Sequence, residues 1–370
     1  MIRVLTAGDS HGYGLFGIVE GFPAHFQVDI QEIDDMLKER QKVYGRGVRM
    51  NLEDDHVEIL SGLWDGKTTG APLTFFIRNR STKPPNNGTT IPRPGHADFG
   101  GMLKYLFEDA RVIAERASAR RTAMDVAMGG FFRQALKELN IKVWGYTVAV
   151  GKVETKIDTF QEFSTAEHPL LCPDDDAEKA MMHEIEKALE GGYTLGGKIK
   201  VIAKGLPIGL GTFNRYEGRF SSVLSKAVFD IPSVKGVEFG DIGESYKMKG
   251  VEVMDEMRAN GERFTNHVGG IEGGMANGQA ISMEILVKPV PTQKIGIRTV
   301  DLSDGSEVLT SYVRSDTCVV GAVTIIAIAK VSTAIFGELM REFGGSCFQE
   351  LKERVENYKE IRRRVMFHGE

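Results

Sequence analysis

Strand-like and helical runs follow one another along this chain without a regular β-α-β rhythm, and that irregular order most restricts what it can fold into. Short runs bounded by glycine stand at 3–6, 18–22, 57–62, 198–203, 237–239 and 280–287, each the length of a strand. Between them, apolar residues recur at three and four. Over 31–40, Ile33, Met36 and Leu37 share a face; from about 101 to 139, Leu103, Leu106, Ala110, Ile113 and Ala117 do so. Gly129 and Gly130 are expected to break or bend that long helix. A further helix over about 175–190 opens on aspartates, which suit a helix N-terminus, and 319–340 reads as helical despite its β-branched residues. A doubly wound sheet needs strict alternation, so the order favours α+β. No linker, low-complexity segment or repeat interrupts the 370 residues, and one domain over 1–370 is expected.

Composition matters for what it excludes. Net charge is −5 and no basic stripe is visible, which argues against nucleic acid as a partner. It does not argue against a small anion, because a local arginine cluster can dominate a pocket. Cys172, Cys318 and Cys347 are odd in number and far apart, so neither a disulfide framework nor a zinc site is expected. The N-terminus lacks the charged-then-apolar pattern of a secretory signal. The longest apolar stretch, 318–329, contains Gly and Thr and is too short to span a bilayer. A cytoplasmic protein without membrane contact is the expectation.

Five clusters could carry chemistry. Gly8-Asp9-Ser10-His11-Gly12 puts a histidine, a residue type that titrates near neutrality, in a glycine-rich turn that suits an anion; it equally suits a plain strand-to-loop turn. Arg93-Pro94-Gly95-His96-Ala97-Asp98-Phe99 precedes the long helix and lets Asp98 hold His96, or serves only as a capping loop. Arg116 and Arg120 are four apart with Ala117, Ser118 and Ala119 between them, so in a continuous helix they share a face open to a carboxylate, phosphate or flavin edge. The alternative is a solvated face. Lys38, Arg40, Lys42, Arg46 and Arg49 form a basic, glycine-interrupted run that could fold over an anion or stay solvated. In Arg314-Ser315-Asp316-Thr317-Cys318, Asp316 enters an apolar run as a candidate proton acceptor or as an N-cap. Gly8-Asp9-Ser10 also looks like the nucleophile block of lipase-related esterases, but the late Asp-x-x-His that such enzymes need is missing. A non-catalytic flavin- or anion-binding protein could dispense with His11, His96 and Asp316, and all three are present.

In order, these segments resemble the chorismate synthase family from about residue 3 to 334. Gly8–Gly12 is similar to its G-[ED]-S-H-G, 93–99 to its RPGHAD[YF], 116–122 to its R-[SA]-S-A-R-x-T, and 266–274 to its N-[NH]-A-G-G-I-x-G-G. Two segments depart from the pattern. Ser315 and Thr317 replace the family's His and Pro around Asp316, and the flavin-associated Lys-Pro-Thr-Ser-Ser reads Lys288-Pro289-Val290-Pro291-Thr292.

The resemblance implies a lyase of aromatic amino-acid biosynthesis that converts 5-enolpyruvylshikimate 3-phosphate to chorismate and phosphate by anti-1,4 elimination. It requires reduced FMN with no net redox change. The resemblance assigns His11, His96 and Asp316, with Ser10 and Ser118, to catalysis, and Arg40, Arg46, Arg120 and Arg314 to the substrate's anionic groups. Arg40, Arg46, Arg116, Ala117, Ser118, Pro232, Ser233, Gly273, Lys288, Pro289, Val290, Pro291, Thr292 and Arg314 are its candidates for the flavin. It further implies a β-α-β sandwich, a homotetramer, and FMN reduced by a separate flavin reductase, with NADPH used only if the chain reduces flavin itself.

Overall fold

The computed structural model describes residues 1–47, 53–83, 88–163, 165, 167–241, 243–259, 261–312 and 315–366. An N-terminal sheet holds β1 (Arg3–Ala7), β2 (Gly14–Glu20), β3 (Glu58–Ser61) and β4 (Leu73–Arg78), antiparallel in the order β1-β2-β4-β3. Leu15 and Val19 of β2 and Leu73, Phe75 and Ile77 of β4 are fully buried, the period-2 pattern of a sheet with one face on the core. On the opposite face, Leu5 and Ile18 pair across β1 and β2 and are exposed. A second antiparallel sheet contains β5 (Lys142–Val150), β6 (Val153–Glu154), β7 (Gly197–Lys204), β8 (Val234–Phe239) and β9 (Ile281–Val287), in the order β8-β9-β7-β5-β6.

The principal helices are α1 (Ile30–Lys42), α2 (Asp98–Tyr105), α3 (Ala110–Ala117), α4 (Thr122–Glu138), α5 (Asp175–Gly191), α6 (Phe220–Phe229), α7 (Val320–Glu342) and α8 (Phe348–Met366). α4 lies on β2 and β4, α7 lies on β5 and β7, and the two helices pack on each other. Helices between antiparallel sheets make the expected α+β sandwich. α7 is long and apolar enough to cross a membrane, but most of it is buried as the core helix. Its buried hydroxyls donate within the helix, Thr324 to Val320 O (3.3 Å) and Ser332 to Ile328 O (2.8 Å), so these two hydroxyls are satisfied inside the core.

Two sequence expectations are corrected here. Gly129 and Gly130 do not break α4. A Cβ on Gly129 would stand 2.3 Å from the Ala329 Cβ of α7, so the glycine is what lets the two helices meet backbone to backbone. The run from 101 to 139 is three helices rather than one. α2 ends at Leu106, which has a left-handed φ of 57°. α3 ends at Ser118, whose extended backbone (ψ 144°) leads through a 3₁₀ turn at Ala119–Arg121 into α4.

Candidate active site

The turn between β1 and β2 carries Ser10 and His11. Gly8 (φ 104°) is required there, since a Cβ would fall 2.3 Å from Gly14 O. Asn79, just after β4, donates to Asp9 O (3.0 Å) and Gly12 O (2.9 Å), fixing the turn on the sheet. From α3, Glu115 accepts the His11 backbone N–H on Oε2 (2.8 Å) and meets His11 Nδ1 with Oε1 (2.8 Å). An ionised Glu115 makes Nδ1 the donor and leaves Nε2 as the nitrogen that gives or takes a proton. Ser10 Oγ donates to Ser118 Oγ (3.2 Å), which also accepts from Arg120 N (3.2 Å).

The extended Ser118 separates the two arginines that helical spacing placed on one face. Arg116 turns back to β1, donating to Thr6 O and Oγ1 (both 2.8 Å) and Gly8 O (3.3 Å). Arg120 donates to Asp55 Oδ1 (2.6 Å) and Asn79 Oδ1 (2.9 Å), with Glu53 Oε2 at 3.5 Å from Nη2. The expectation of a shared arginine face is therefore corrected: the helix ends between them.

Asp55 joins Arg120 to Arg40. Arg40 donates to Thr122 Oγ1 (2.9 Å) and Ala119 O (3.2 Å), and its Nη1 lies 3.7 Å from Asp55 Oδ2. The side chains of Arg40 and Arg120 are each 1% exposed and that of Asp55 is 0%, so the basic run is not a solvated surface at Arg40. Burial, followed by the charge of Arg46, pushes the Arg40 guanidinium down to about 9 although Asp55 works the other way. Arg46 Nε stands 3.4 Å from Asp316 Oδ2, and Gly47 N donates to Asp316 Oδ1 (2.6 Å). Asp316 therefore ties down the loop after α1, and the N-cap of α7 is Val319. Beside it, burial pushes the Cys318 thiol up to about 12, which keeps it inert. Arg40 Nε and Nη1, Arg120 Nη2 and Asp55 Oδ2 are buried without a hydrogen-bond partner among the described residues.

A second network surrounds His96. Asp98, the first residue of α2, accepts from Arg93 N (3.1 Å), Arg93 Nε (2.7 Å) and Arg93 Nη2 (3.1 Å), and meets His96 Nδ1 at 2.5 Å. Burial works to raise the Asp98 carboxyl, but hydrogen bonds and charge from His96 and Arg93 prevail and hold it well below the usual carboxylate range. Arg93 Nη1 reaches Thr292 Oγ1 (3.1 Å). Gly95 faces Pro291 and the Lys288 ammonium, 3.8 and 3.9 Å from where its Cβ would be. Lys288 N donates to Ser233 O (2.9 Å), Val290 O accepts from Thr194 Oγ1 (2.7 Å), and Ser233 has a φ of 76°. Burial, followed by the charge of Lys235, lowers the Lys288 ammonium.

The structure thus joins His11, Ser10, Ser118, Arg120 and Arg40 through successive contacts and pairs Arg46 with Asp316, whose charges both act on Arg40. It groups His96 with Pro232 and Ser233 and with the segment from Lys288 through Pro289 to Thr292. Gly101 of α2 packs on Ile113 of α3, so the helices bearing Asp98 and Glu115 are directly joined. Ala117 ends α3. Gly273 belongs to neither network among the described contacts; its neighbour Gly274 O accepts from Phe220 N at the start of α6 (2.7 Å). Arg314 and Arg49 lie outside the described residues. Glu115, Glu53, Asp55 and Asn79 were not singled out from sequence, and Arg93 was named only as the start of the His96 cluster. The acidic triplet Glu53-Asp54-Asp55 close behind a basic run was the available signal for two of them.

The sequence model described as chorismate synthase matches residues 2–340. Two curated relatives carry the same name. One from Alkaliphilus metalliredigens is 40% identical over 98% of this chain and 100% of its own. One from Thermotoga maritima is 39% identical over 96% of each. A solved structure titled "Crystal Structure of Chorismate Synthase" superposes with a TM-score of 0.80 at 31% identity, covering 98% of both chains.

Proposed function

This chain belongs to the chorismate synthase family, and on that premise we propose that it converts 5-enolpyruvylshikimate 3-phosphate to chorismate. The carbon–oxygen bond to phosphate breaks, the carbon-6 hydrogen leaves as a proton, and a new double bond closes the diene. The observation carrying this reading is the buried arginine cluster beside a held histidine. Arg40 Nε makes no hydrogen bond among the described residues, and Arg40 Nη1 and Arg120 Nη2 have only carboxylate oxygens at 3.7 and 3.5 Å; buried donors held this loosely favour an anion that can meet them.

His11 is the general acid for the departing phosphate: Glu115 fixes its ring through Nδ1 and stabilises the imidazolium, so Nε2 delivers the proton. Asp316 stands on the proton-accepting side, its two oxygens held by Gly47 N and Arg46. Arg40, Arg46 and Arg120 grip the substrate's anionic groups, Arg40 and Arg120 being braced by Asp55, and the family pattern adds Arg314. Ser10 and Ser118 hold the His11 turn to the end of α3. The segment around His96 suits reduced FMN. Lys288 is half-buried and feels the charge of the exposed Lys235, a setting that suits a phosphate, and Ser233, Thr292 and His96 supply polar groups in the same segment. Pro232, Pro289, Val290 and Pro291 would wall that site, while Arg116, Ala117 and Gly273 are flavin candidates by the family pattern alone. Bound reduced FMN supplies electron density that makes phosphate a feasible leaving group.

The same reading places the protein in the cytoplasm as a homotetramer, the exposed Leu5 and Ile18 face being one surface a second copy could cover, with no role for nucleic acid or membrane. A separate reductase delivers reduced flavin; NADPH enters only if this chain reduces FMN itself. The test is an anaerobic assay with chemically reduced FMN and the phosphorylated enolpyruvyl ester, following chorismate absorbance. Absence of product from folded protein overturns the reading. Oxidised FMN with NADPH in the same assay separates the two routes of flavin reduction.

A further inference from the structure

A cavity of about 260 Å³ lies between α1, α4, α7 and β5, lined by Met36, Glu39, Arg133, Trp144, Phe163 and Ile325 among others. It is smaller than the roughly 300–1,000 Å³ pockets that take drug-sized ligands. Nothing in the proposed reaction uses it.

Its polar lining includes Glu39, Arg133, Glu162 and Thr165, and Glu162 pairs outward with Lys142 (3.0 Å). Glu39 has neither an ion pair nor a hydrogen bond among the described residues. Arg133 spends Nε on Val143 O (3.1 Å) and has Glu162 Oε1 at 3.9 Å from Nη2; Nη1 has no described partner. Trp144 is 5% exposed, and its indole Nε1–H is buried without an acceptor. Such a donor is rarely left unmet in a folded protein. The wall between these groups is apolar, with Met36, Ile325 and Ile328 all buried. An unmatched carboxylate, an unmatched pair of N–H donors and an apolar floor together complement a zwitterion with an apolar side chain.

We propose that this cavity binds a free apolar α-amino acid, its ammonium on Glu39 and its carboxylate on Arg133 and the Trp144 indole N–H. The inference goes beyond the elimination reaction and does not depend on it. Charge-assisted contacts of this kind are about twice as strong as neutral ones, so both ends of the ligand should count.

The chain has two tryptophans, and Trp64 is 82% exposed. A Trp64→Phe variant therefore reports on Trp144 alone. Titrating it with L-phenylalanine and L-leucine should give a saturable change in emission. 3-Phenylpropanoate, which lacks the ammonium, and phenethylamine, which lacks the carboxylate, should each bind about tenfold or more weakly than L-phenylalanine. Calorimetric titration of Arg133→Met and Glu39→Gln should show a similar loss. Glu39 is half-buried on a helix, so Glu39→Gln carries the test if Arg133→Met does not fold. No saturable emission change at millimolar amino acid, binding of either truncated probe as tight as that of L-phenylalanine, or unchanged affinity in Glu39→Gln overturns the proposal.

Discussion

Two of the molecule's histidine–carboxylate pairs, His11–Glu115 and His96–Asp98, lie at the candidate site, and they differ in what else holds the carboxylate. Among the described residues the Glu115 carboxylate is met by His11 alone, through the ring and the backbone N–H together, so its charge is spent on one imidazole. Asp98 is shared: Arg93 makes three hydrogen bonds to it besides the one from His96. The helices differ as well. Asp98 begins α2, where the dipole favours an anion; Glu115 sits in the last turn of α3, where it does not. A carboxylate kept against local preference marks a working position, and one that satisfies every local rule marks a structural one. The first pair should govern turnover and the second the integrity of its loop.

The largest expected effect falls on the second pair. Asp98→Ala leaves Arg93 without its buried partner, and breaking such pairs costs about 3–5 kcal/mol, to be read from urea unfolding. pH supplies a sharper form of the test. The Asp98 carboxyl is held below its ordinary value in the fold, so its stabilisation is full above about pH 4 and fades as pH falls further. The difference in urea midpoint between wild type and Asp98→Asn should therefore narrow on going from pH 7 to pH 3. A difference that widens on acidification contradicts the assignment.

Turnover should fall by about two orders of magnitude in His11→Ala and in Asp316→Asn, the usual scale for loss of general acid–base catalysis, with reduced FMN supplied and the fold checked by circular dichroism. Near-normal rates in either variant remove that residue from the reaction. Arg46→Ala should act differently, raising the Michaelis constant for the phosphorylated ester by about tenfold with a smaller change in kcat. Arg40→Ala and Arg120→Ala should also lower stability, because each takes one guanidinium from the buried Asp55, and Arg120→Ala, which removes the 2.6 Å bond, should cost more.

Much of this was legible beforehand, and the exceptions have physical causes. The strands at 3–6, 198–203 and 280–287 show because glycine bounds them. The run from 101 to 139 misleads because apolar spacing continues in register through Leu106, which is 88% exposed, and across Ser118. β5 escapes notice because all its residues after Lys142 are buried, so neither face alternates. α8 hides behind its charges, although Phe348, Leu351 and Val355 repeat at three and four and are the residues it buries. Within the site, the glycine-flanked histidines are visible in sequence. Their carboxylate in the first pair is not, since Glu115 lies 104 residues from His11 and no spacing rule reaches that far.

The smallest expected effect is the one that divides the two pairs most directly. Glu115 uses both oxygens as acceptors, one for the His11 backbone N–H and one for the ring. Glu115→Gln has one acceptor and one donor in their place, so it must give up a contact or reverse the ring tautomer. Either way the imidazolium loses its counter-charge. Hydrogen bonds to charged groups contribute about 1.5–3 kcal/mol, which sets the expected loss of kcat at about tenfold. The Michaelis constant should move little, because Glu115 acts through His11 and touches no substrate group, and the urea midpoint should move less than in Asp98→Asn. If Glu115→Gln instead lowers stability and spares kcat, while Asp98→Asn does the reverse, the two pairs have been assigned the wrong way round.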